Sequence, residues 1–382
     1  VYLDSAATAL KPSAMINAMA EGDGAQVGNV HRGAYRLAGE CTTIYEGARQ
    51  CVAHWLEVSP EEVVFTRGAT ESLNLVAQAW ARPRLKPGQD VLVLTSEHHA
   101  NWLPWQRVCQ QTGAQMVQVP LNEDGCFCMS HFERCLGPST AIVAIAEISN
   151  VLGVKNPITE VVDRAHQVGA KVVVDGAQAV AHGGSRPGEI NCDFYVFSGH
   201  KLYGPNGIGV LWGRSELLAD MEPWHTGGGM VVSVEEAKST FSAPPHRFEA
   251  GTPPILPALG LAAAIQYLEA KGWPLIQSHE ASLCEYTSER LSALPGVRVV
   301  GPKMRAVGIF SFEVNGIHPH DLGTALELVG VALRTGHLCA QPLMGHFGVQ
   351  ALTRASLGLY NCEGDIDALC DGIQRAQHFF CS

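Results

Sequence analysis

The most constraining feature of the chain is an alternation of short apolar runs and helical patterns between residues 62 and 213. Helical patterns lie at 70–81, 101–113 and 158–170, between runs rich in Val and Ile. Strands that alternate with helices form a mostly parallel sheet, and continuous apolar strands indicate burial on both faces. Because the last runs lack long helices between them, an antiparallel member is expected there. The sequence thus predicts an α/β fold with strands at 62–66, 91–95, 116–120, 141–148, 171–176, 194–199 and 207–213.

The pattern changes after the proline-rich stretch "RFEAGTPPILP" (247–257), which is typical of a loop. A helix is predicted at 258–272, and the remainder mixes helices with strands such as 307–314. We therefore predict a large domain over 15–257. A smaller α+β domain is predicted from 1–14 together with 258–382.

Composition excludes several classes of protein. The formal net charge of the 382 residues is -11, which argues against nucleic-acid binding. The longest apolar run, at 255–265, is too short to span a membrane, so no membrane association is expected. The 12 cysteines show no paired framework and no C-x-x-C, which favours a cytoplasmic enzyme with reduced thiols and no metal site. No signal or transit peptide is visible, and the first residue, Val1, leaves the true start open.

Two charged residues follow buried strands, at the sheet edge where open α/β folds bind ligands. Lys201 comes just after the sixth run, and a partly desolvated lysine there is an amine nucleophile, or else a lysine that snorkels at a domain edge. Asp175 ends the fifth run, where a carboxylate can pair with the ring nitrogen of pyridoxal phosphate or cap a helix. Gln178 could reach the phenolic oxygen of the same cofactor.

Two further stretches fit that cofactor. "TRGATESLNLV" (66–76) passes through Gly68 into a helix, whose free N–H groups attract anions, and Thr70 adds a hydroxyl. The same stretch could be an ordinary helix cap. In "SEHHANWLPW" (96–105), the imidazole of His98 could stack on a pyridine ring or remain a simple loop residue.

Together and in this order, these pieces resemble the fold-type I pyridoxal-phosphate enzymes of the class-V aminotransferase group. The likeness is strongest to the group II cysteine desulfurases of the SufS and CsdA type, with the CsdA type nearest. It covers the whole chain and rests on the stretches 2–12, 28–35, 66–78, 97–105, 149–153, 173–178, 197–211, 249–253, 334–344 and 353–361.

The resemblance implies a role for each candidate residue toward the cofactor. Lys201 would bind the cofactor covalently, Asp175 would pair with its ring nitrogen, and Gln178 would contact its phenolic oxygen. His98 would stack on the ring and take part in catalysis. The phosphate would be held by Ala69, Thr70, Ser198 and His200.

The resemblance also implies contacts to a second subunit and to the substrate. Thr252 would reach the phosphate of the neighbouring subunit, which implies a homodimer, although Thr252 could instead cap the next helix. Arg354 would clamp the substrate carboxylate through its planar fork, or else be a surface residue. The remaining substrate contacts would come from Asn150, His31 and Arg334.

Cys339 stands between His337 and His346 in "RTGHLCAQPLMGH", where the sequence alone allows a core residue, a metal ligand or a nucleophile. The resemblance implies a nucleophile that takes the sulfur of L-cysteine as a persulfide, leaving alanine. A histidine often precedes this cysteine in the family, whereas here it is Leu338, so the source of the thiolate is open.

The resemblance further implies sulfur transfer to an acceptor protein of the SufE or CsdE type, in sulfur metabolism and iron–sulfur cluster assembly. The short segment after Cys339, stiffened by Pro342, implies slow turnover without that acceptor. Cysteine sulfinate and selenocysteine are expected as additional substrates. The alternatives are another class-V enzyme, a selenocysteine lyase or an aminotransferase, in which Cys339 is not essential, and a scaffold protein without chemistry.

Overall fold

The computed structural model describes residues 1–25, 28–31 and 33–381. Its largest sheet is formed by β1 (Val63–Thr66), β2 (Asp90–Leu94), β3 (Gln115–Val119), β4 (Thr140–Ala146), β5 (Lys171–Asp175), β6 (Phe194–Ser198) and β7 (Gly209–Gly213). The strand order is β1-β7-β6-β5-β4-β2-β3, and only the pairings of β7 with β1 and β6 are antiparallel. All seven predicted strands are confirmed, as is an antiparallel member among the last of them.

Burial on both faces explains why the central strands are continuous apolar runs. In β5, Val172 and Val174 belong to one hydrophobic cluster, while Val173 between them belongs to the cluster on the other face. Alternate residues of a strand point to opposite faces, so a strand between two cores needs apolar residues at every position.

Helices pack against both faces of this sheet and against a second, smaller sheet. They are α1 (Ser13–Ala25), α2 (Arg36–Leu56), α3 (Ala69–Leu75), α4 (Leu103–Thr112), α5 (Met129–Cys135), α6 (Ile158–Gln167), α7 (Pro187–Ile190), α8 (Ser215–Ala219), α9 (Ile255–Lys271), α10 (Trp273–Ser292), α11 (Pro319–Glu327), α12 (Gln341–Phe347) and α13 (Glu363–Cys381). The predicted helices are confirmed, and α3 continues as a π-helix over 76–81. Among the described helices, none combines the length and apolar character needed to cross a bilayer.

The remaining strands lie outside the large sheet. They are β8 (Val231–Val234), β9 (Ser239–Phe241), β10 (Val297–Val299), β11 (Ile309–Val314), β12 (Arg334–Gly336) and β13 (Leu352–Ser356). The first two form a hairpin, and the last four form an antiparallel sheet in the order β10-β11-β13-β12. The predicted strand at 307–314 is confirmed by β11.

The N-terminal segment joins this smaller sheet. Tyr2 bridges to Ala332 and Asp4 to Ser356, so residues from both ends of the chain meet there. Helix α9 begins at Ile255, inside the predicted loop, because the residues after Pro254 already adopt helical hydrogen bonding. Its apolar face packs on α1 and α2, within the core of the large sheet. The division at residue 258 stays a prediction.

Candidate active site

A cavity of about 510 Å³ lies at the carboxyl edge of the large sheet, where β4, β5 and β6 end. Parallel strands present their carboxyl ends at one edge, which is why side chains distant in sequence meet there. The cavity brings together most of the predicted site residues: Ala69, Thr70, His98, Asn150, Asp175, Gln178, Ser198, His200, Lys201, Arg334, Cys339 and Arg354.

Lys201 and Asp175 face this cavity as a coupled pair. Burial lowers the pKa of the Lys201 amine, and the nearby Asp175 carboxylate opposes that shift. Burial likewise raises the pKa of the Asp175 carboxyl, against the effect of Lys201. Among the described residues, the only hydrogen bond to this carboxylate comes from Ala177 N–H, at 2.9 Å from Oδ1. Asp175 therefore retains acceptor capacity for a cationic group in the cavity.

His98 contributes a neutral ring to the cavity. Burial, and secondarily the charge of Lys201, lower the pKa of His98 to about 3. Its Nδ1 accepts a hydrogen bond from Ala100 N–H at 3.0 Å, which fixes the orientation of the ring. A neutral and oriented imidazole suits stacking on a planar ligand.

The start of α3 and the end of β6 line one part of the cavity. Ser198 Oγ accepts a hydrogen bond from Ala69 N–H at 2.8 Å, and Thr70 and His200 lie beside them. A Cβ on Gly209 would lie 2.4 Å from the Cα of Gly68, so glycine is required where β7 passes the start of the helix. The backbone N–H groups and hydroxyls gathered here are those that hold phosphate groups in proteins.

Arg354 lines the same cavity and is only 2% exposed. Its Nη1 donates to the Asn150 carbonyl at 2.8 Å and its Nη2 to Asp4 Oδ1 at 3.1 Å. Its Nε has no hydrogen-bond partner among the described residues. Burial lowers the pKa of the Arg354 guanidinium, and Asp4 opposes that effect. A buried guanidinium with a free N–H is a suitable partner for a ligand carboxylate.

Asp4 was missed by the sequence analysis. Arg334 donates to the same carboxylate, with Nη2 2.8 Å from Asp4 Oδ2, so both arginines share one acidic partner. The only available signal was an acidic residue within "YLDSAAT", which gives no indication of a partner 350 positions away.

Cys339 lies exposed at the mouth of the cavity in an unusual backbone conformation. Leu338 has φ 54° and Cys339 has φ 53°, so two successive residues with Cβ atoms adopt the left-handed region. Such a conformation costs about 1–2 kcal/mol per residue and persists only when neighbouring groups hold it. The buried Leu338 side chain packs in the large hydrophobic cluster and anchors the segment from one side.

Three groups hold the backbone around Cys339. The backbone N–H of His99 donates to the Cys339 carbonyl at 2.7 Å, and the ring Nε2 of His99 accepts from the Gln341 backbone N–H at 3.2 Å. His337 Nδ1 accepts from Cys339 N–H at 3.1 Å. Asn150 donates its side-chain amide to the Leu338 carbonyl at 2.9 Å, so this side chain supports the cysteine segment. Only its backbone carbonyl contacts Arg354.

Comparison with known proteins gives the family. The class-V aminotransferase family model matches residues 1–369.

The chain belongs to the class-V aminotransferase family.

Its relatives are named as desulfurases. The chain is 45% identical over 381 residues to a probable cysteine desulfurase of Halalkalibacterium halodurans, covering 100% of this chain and 94% of the relative. It is 46% identical to a cysteine desulfurase of Klebsiella pneumoniae, covering 98% of this chain and 92% of the relative. A crystal structure of the cysteine desulfurase CsdA from Escherichia coli superposes with a TM-score of 0.93 at 41% identity, covering 99% of this chain and 95% of that chain.

Two residues assigned to the site by the family resemblance lie outside the cavity of this single chain. His31 contacts Glu46 at 2.8 Å, and its ring lies 4.9 Å from that of His246. Thr252 lines a second cavity of about 350 Å³ with Glu249 and Trp224. Arg32, next to His31, lies outside the described residues.

The class-V fold brings His99, His337 and Cys339 close enough to hold a metal ion, with potential ligand atoms within 4.8 Å of one another. However, His99 Nε2 and His337 Nδ1 both accept backbone N–H groups. A histidine that ligates a metal usually donates its second N–H to an acceptor instead. The geometry therefore favours hydrogen bonding, and the absence of a metal site stays a prediction.

Proposed function

We propose that this class-V enzyme is a pyridoxal-phosphate-dependent cysteine desulfurase in which Cys339 receives the sulfur of L-cysteine. The overall reaction converts L-cysteine and the Cys339 thiol into L-alanine and a persulfide on Cys339. The observation that carries the proposal is the exposed Cys339 at the mouth of a cavity that also contains Lys201, Asp175 and Arg354.

The cavity fits pyridoxal phosphate, which is the cofactor. Lys201 would hold its aldehyde carbon, Asp175 its ring nitrogen and His98 the face of its ring. The phosphate would be held by Ala69, Thr70, Ser198 and His200. Gln178 is assigned to the phenolic oxygen, although its Nε2 also donates to the Ala6 carbonyl at 2.8 Å. When bound, the cofactor withdraws electrons from the substrate Cα.

Arg354 orients the substrate through its carboxylate. The guanidinium is buried, so its interaction with a carboxylate is weakly screened by water. The free Nε of Arg354 and the remaining protons on its terminal nitrogens supply the donors. Arg334, which is half-exposed, adds positive charge at the same end of the cavity.

Lys201 moves protons at the substrate. Burial lowers the pKa of its amine, which favours the unprotonated form that can act as a base. It takes the proton from the substrate Cα and later returns a proton as a general acid.

Cys339 completes the reaction by attacking sulfur. A bond forms between Cys339 Sγ and the substrate sulfur while the substrate Cβ–S bond breaks. The electron pair of that bond stays with the carbon fragment, which takes up a proton and leaves as alanine. This attack requires a thiolate and an accessible sulfur, as in thiol–disulfide exchange. The exposure of Cys339 supplies the access.

A homodimer is the second part of the proposal. His31 and Thr252 lie outside the cavity of their own chain, although the family resemblance assigns both to a cofactor or substrate site. A second copy that places these residues into its neighbour's cavity would reconcile the two observations. A size measurement combined with mixing of Lys201→Ala and Thr252→Ala chains tests this, since hybrid dimers would regain one complete site.

Transfer to a sulfur-acceptor protein is the third part. Helix α12 begins at Gln341, two residues after Cys339, so the cysteine segment has little length with which to reach a distant partner. An acceptor would therefore have to approach the cavity mouth itself.

None of the eleven cysteines with described side chains forms a disulfide, which supports a reducing, cytoplasmic location.

One experiment tests the activity and the nucleophile together. Alanine release is measured from cysteine, cysteine sulfinate and selenocysteine with the wild type, Cys339→Ala and the matched control Cys362→Ala, another exposed cysteine. We expect Cys339→Ala to lose alanine release and persulfide formation with cysteine, while Cys362→Ala retains both. Full activity of Cys339→Ala on cysteine would contradict the nucleophile role. Stoichiometric consumption of a keto acid would instead indicate an aminotransferase.

A further inference from the structure

Glu97 is a fully buried acidic residue that the proposed mechanism does not use. It directly precedes His98 in the chain and is 0% exposed. Its Oε1 accepts a hydrogen bond from the Ala146 backbone N–H at 2.8 Å, and its Oε2 accepts one from the Asn101 side-chain amide at 2.6 Å. Because a buried charge is costly unless it is paired or hydrogen-bonded, these two bonds are what allow a carboxylate in this interior.

Trp105 fixes the direction of these hydrogen bonds. Its indole Nε1 can only donate and lies 2.9 Å from Asn101 Oδ1, so Asn101 must present its NH2 group to Glu97. Both oxygens of Glu97 therefore face donors, which matches an ionised carboxylate. Burial raises the pKa of the Glu97 carboxyl, and the bonds from Ala146 and Asn101 oppose that shift. An amide in place of Glu97 would set its own NH2 group against that of Asn101.

The bonds of Glu97 tie the turn at 97–101 to the strand ends at the cavity. Ala146 ends β4, lines the cavity and pairs with Asp175 on β5. Within the turn, Asn101 N–H donates to the His98 carbonyl at 2.8 Å. The carboxylate of Glu97 therefore links the backbone that carries His98 to the strand end beside Asp175.

The same turn serves two parts of the site. His98 lines the cavity, and the backbone N–H of His99 donates to the Cys339 carbonyl at 2.7 Å. Displacement of the turn would therefore move both the ring assigned to the cofactor and the segment that carries the nucleophile. Buried ionisable groups of this kind concentrate at functional sites, which favours a role for Glu97 beyond folding.

We infer that Glu97 is a positioning residue for the proposed reaction, whose carboxylate holds the turn that carries His98 and His99 against the end of β4. The inference rests on the proposed function, to which it adds a residue that does not itself line the cavity. Glu97 acts through the position of the His98 ring and of the Cys339 segment.

The test exchanges the two ends of the hydrogen bond between Glu97 and Asn101. Glu97→Gln alone places two NH2 groups face to face, and Asn101→Asp alone places two carboxylates face to face. The two substitutions combined restore every bond of the network, with the direction of the central one reversed. Ala146 N–H then still meets an oxygen at position 97, and Trp105 Nε1 still meets an oxygen at position 101.

Two measurements separate positioning from folding. Circular dichroism in the cofactor absorption band of the holoenzyme reports how the cofactor ring is held, whereas the melting temperature reports folding. We expect Glu97→Gln to weaken this dichroism and to slow alanine release from cysteine and cysteine sulfinate alike by about tenfold, because a hydrogen bond to a charged group is lost. The double variant should recover most of the dichroism and of both rates.

Glu62→Gln is the matched control. Glu62 also accepts from an indole N–H, that of Trp212 at 3.1 Å, but it lies before β1 and outside the turn at 97–101. Its replacement should leave the dichroism unchanged. Unchanged dichroism in Glu97→Gln, or a double variant that recovers nothing, would overturn the inference, because the network would then support folding alone.

A further variant keeps the test valid if Glu97→Gln does not fold. Asn101→Ala keeps the bond from Ala146 to Glu97, and it should weaken the dichroism as well. Loss of folding in both variants would assign the network to folding and would also overturn the inference. Failure of the proposed function has a different signature, because the wild type would then release no alanine while the comparison of dichroism would still hold.

Discussion

Replacing His99 separates the positioning of the nucleophile from the chemistry at the cofactor. The imidazole Nε2 accepts a hydrogen bond from Gln341 N–H, while the His99 backbone N–H donates to the Cys339 carbonyl. His99→Phe removes only the first of these contacts and keeps a ring beside His337, whose centroid lies 5.4 Å away. His99→Gln retains an acceptor and serves as the conservative variant.

The size of the effect follows from the strain in the cysteine segment. Leu338 and Cys339 together hold about 2–4 kcal/mol of left-handed backbone strain, which the surrounding hydrogen bonds offset. An unsatisfied backbone N–H costs about 1–3 kcal/mol, and the exposure of Gln341 places the loss near the lower end, since water can replace part of the bond. A loss of about 1 kcal/mol reduces the attack-ready population about fivefold.

The assay compares two substrates on the same enzyme. Persulfide formation on Cys339 is followed in a single turnover by intact-protein mass, and alanine release from cysteine sulfinate is measured in parallel. Cysteine sulfinate can lose its sulfur group without a nucleophile, so this reaction reports the cofactor and Arg354 alone. We expect His99→Phe to slow persulfide formation about fivefold while the sulfinate reaction is retained, and His99→Gln to recover most of the rate.

Two outcomes would refute this reasoning. An equal loss on both substrates would place the effect of His99 at the cofactor, through its neighbour His98. An unchanged rate of persulfide formation would mean that the other contacts, including His337 and Asn150, hold the segment without the His99 imidazole. His346→Phe is the matched control, since His346 is an exposed histidine of α12 that does not line the cavity, and it should leave both reactions unchanged.

Further predictions concern stability. Glu249→Gln should lower the free energy of unfolding by about 3 kcal/mol, because it breaks the buried pair with Arg49. Arg36→Gln, which breaks an exposed pair with Glu40, should change it by less than about 1 kcal/mol. Chemical denaturation measures both changes. Stability of the apoenzyme should fall as the pH drops from about 6.5 toward 3. The pKa of His98 is depressed to about 3 in the folded state, so the unfolded chain binds the proton first. His98→Gln should flatten this part of the melting-temperature profile. Gly209→Ala should weaken cofactor retention, measured by the absorbance that stays with the protein on gel filtration, because its Cβ would displace Gly68.

The sequence predicted the parts of the fold that local patterns encode. The consecutive valines at 172–174 are apolar at every position because both faces of their strand are buried, and such a run is visible without a structure. The start of α9 was placed three residues late, because prolines at helix starts resemble loop residues. Asp175 and Lys201 were identifiable because Asp175 ends such a strand and Lys201 lies three residues beyond another.

Contacts between distant residues were beyond the reach of the sequence. Asp4 meets Arg334 and Arg354 only through the folded small sheet, and no local pattern links them. The Asn150 side chain was expected to contact the substrate, whereas in the structure it donates to the Leu338 carbonyl. His31 was assigned to the site by resemblance alone, and in the structure it lies outside the cavity of its own chain, in contact with Glu46.

The pairing of the N-terminal segment with β13 has a consequence for synthesis on the ribosome. Asp4 is translated 350 positions before Arg354. At about 5–20 residues per second, roughly 20–70 s separate their appearance. The large sheet, complete by Gly213, can form during that interval, whereas Asp4 can meet Arg334 and Arg354 only after Arg354 has emerged. A nascent chain would therefore acquire its cofactor-binding surface well before it could recognise a substrate.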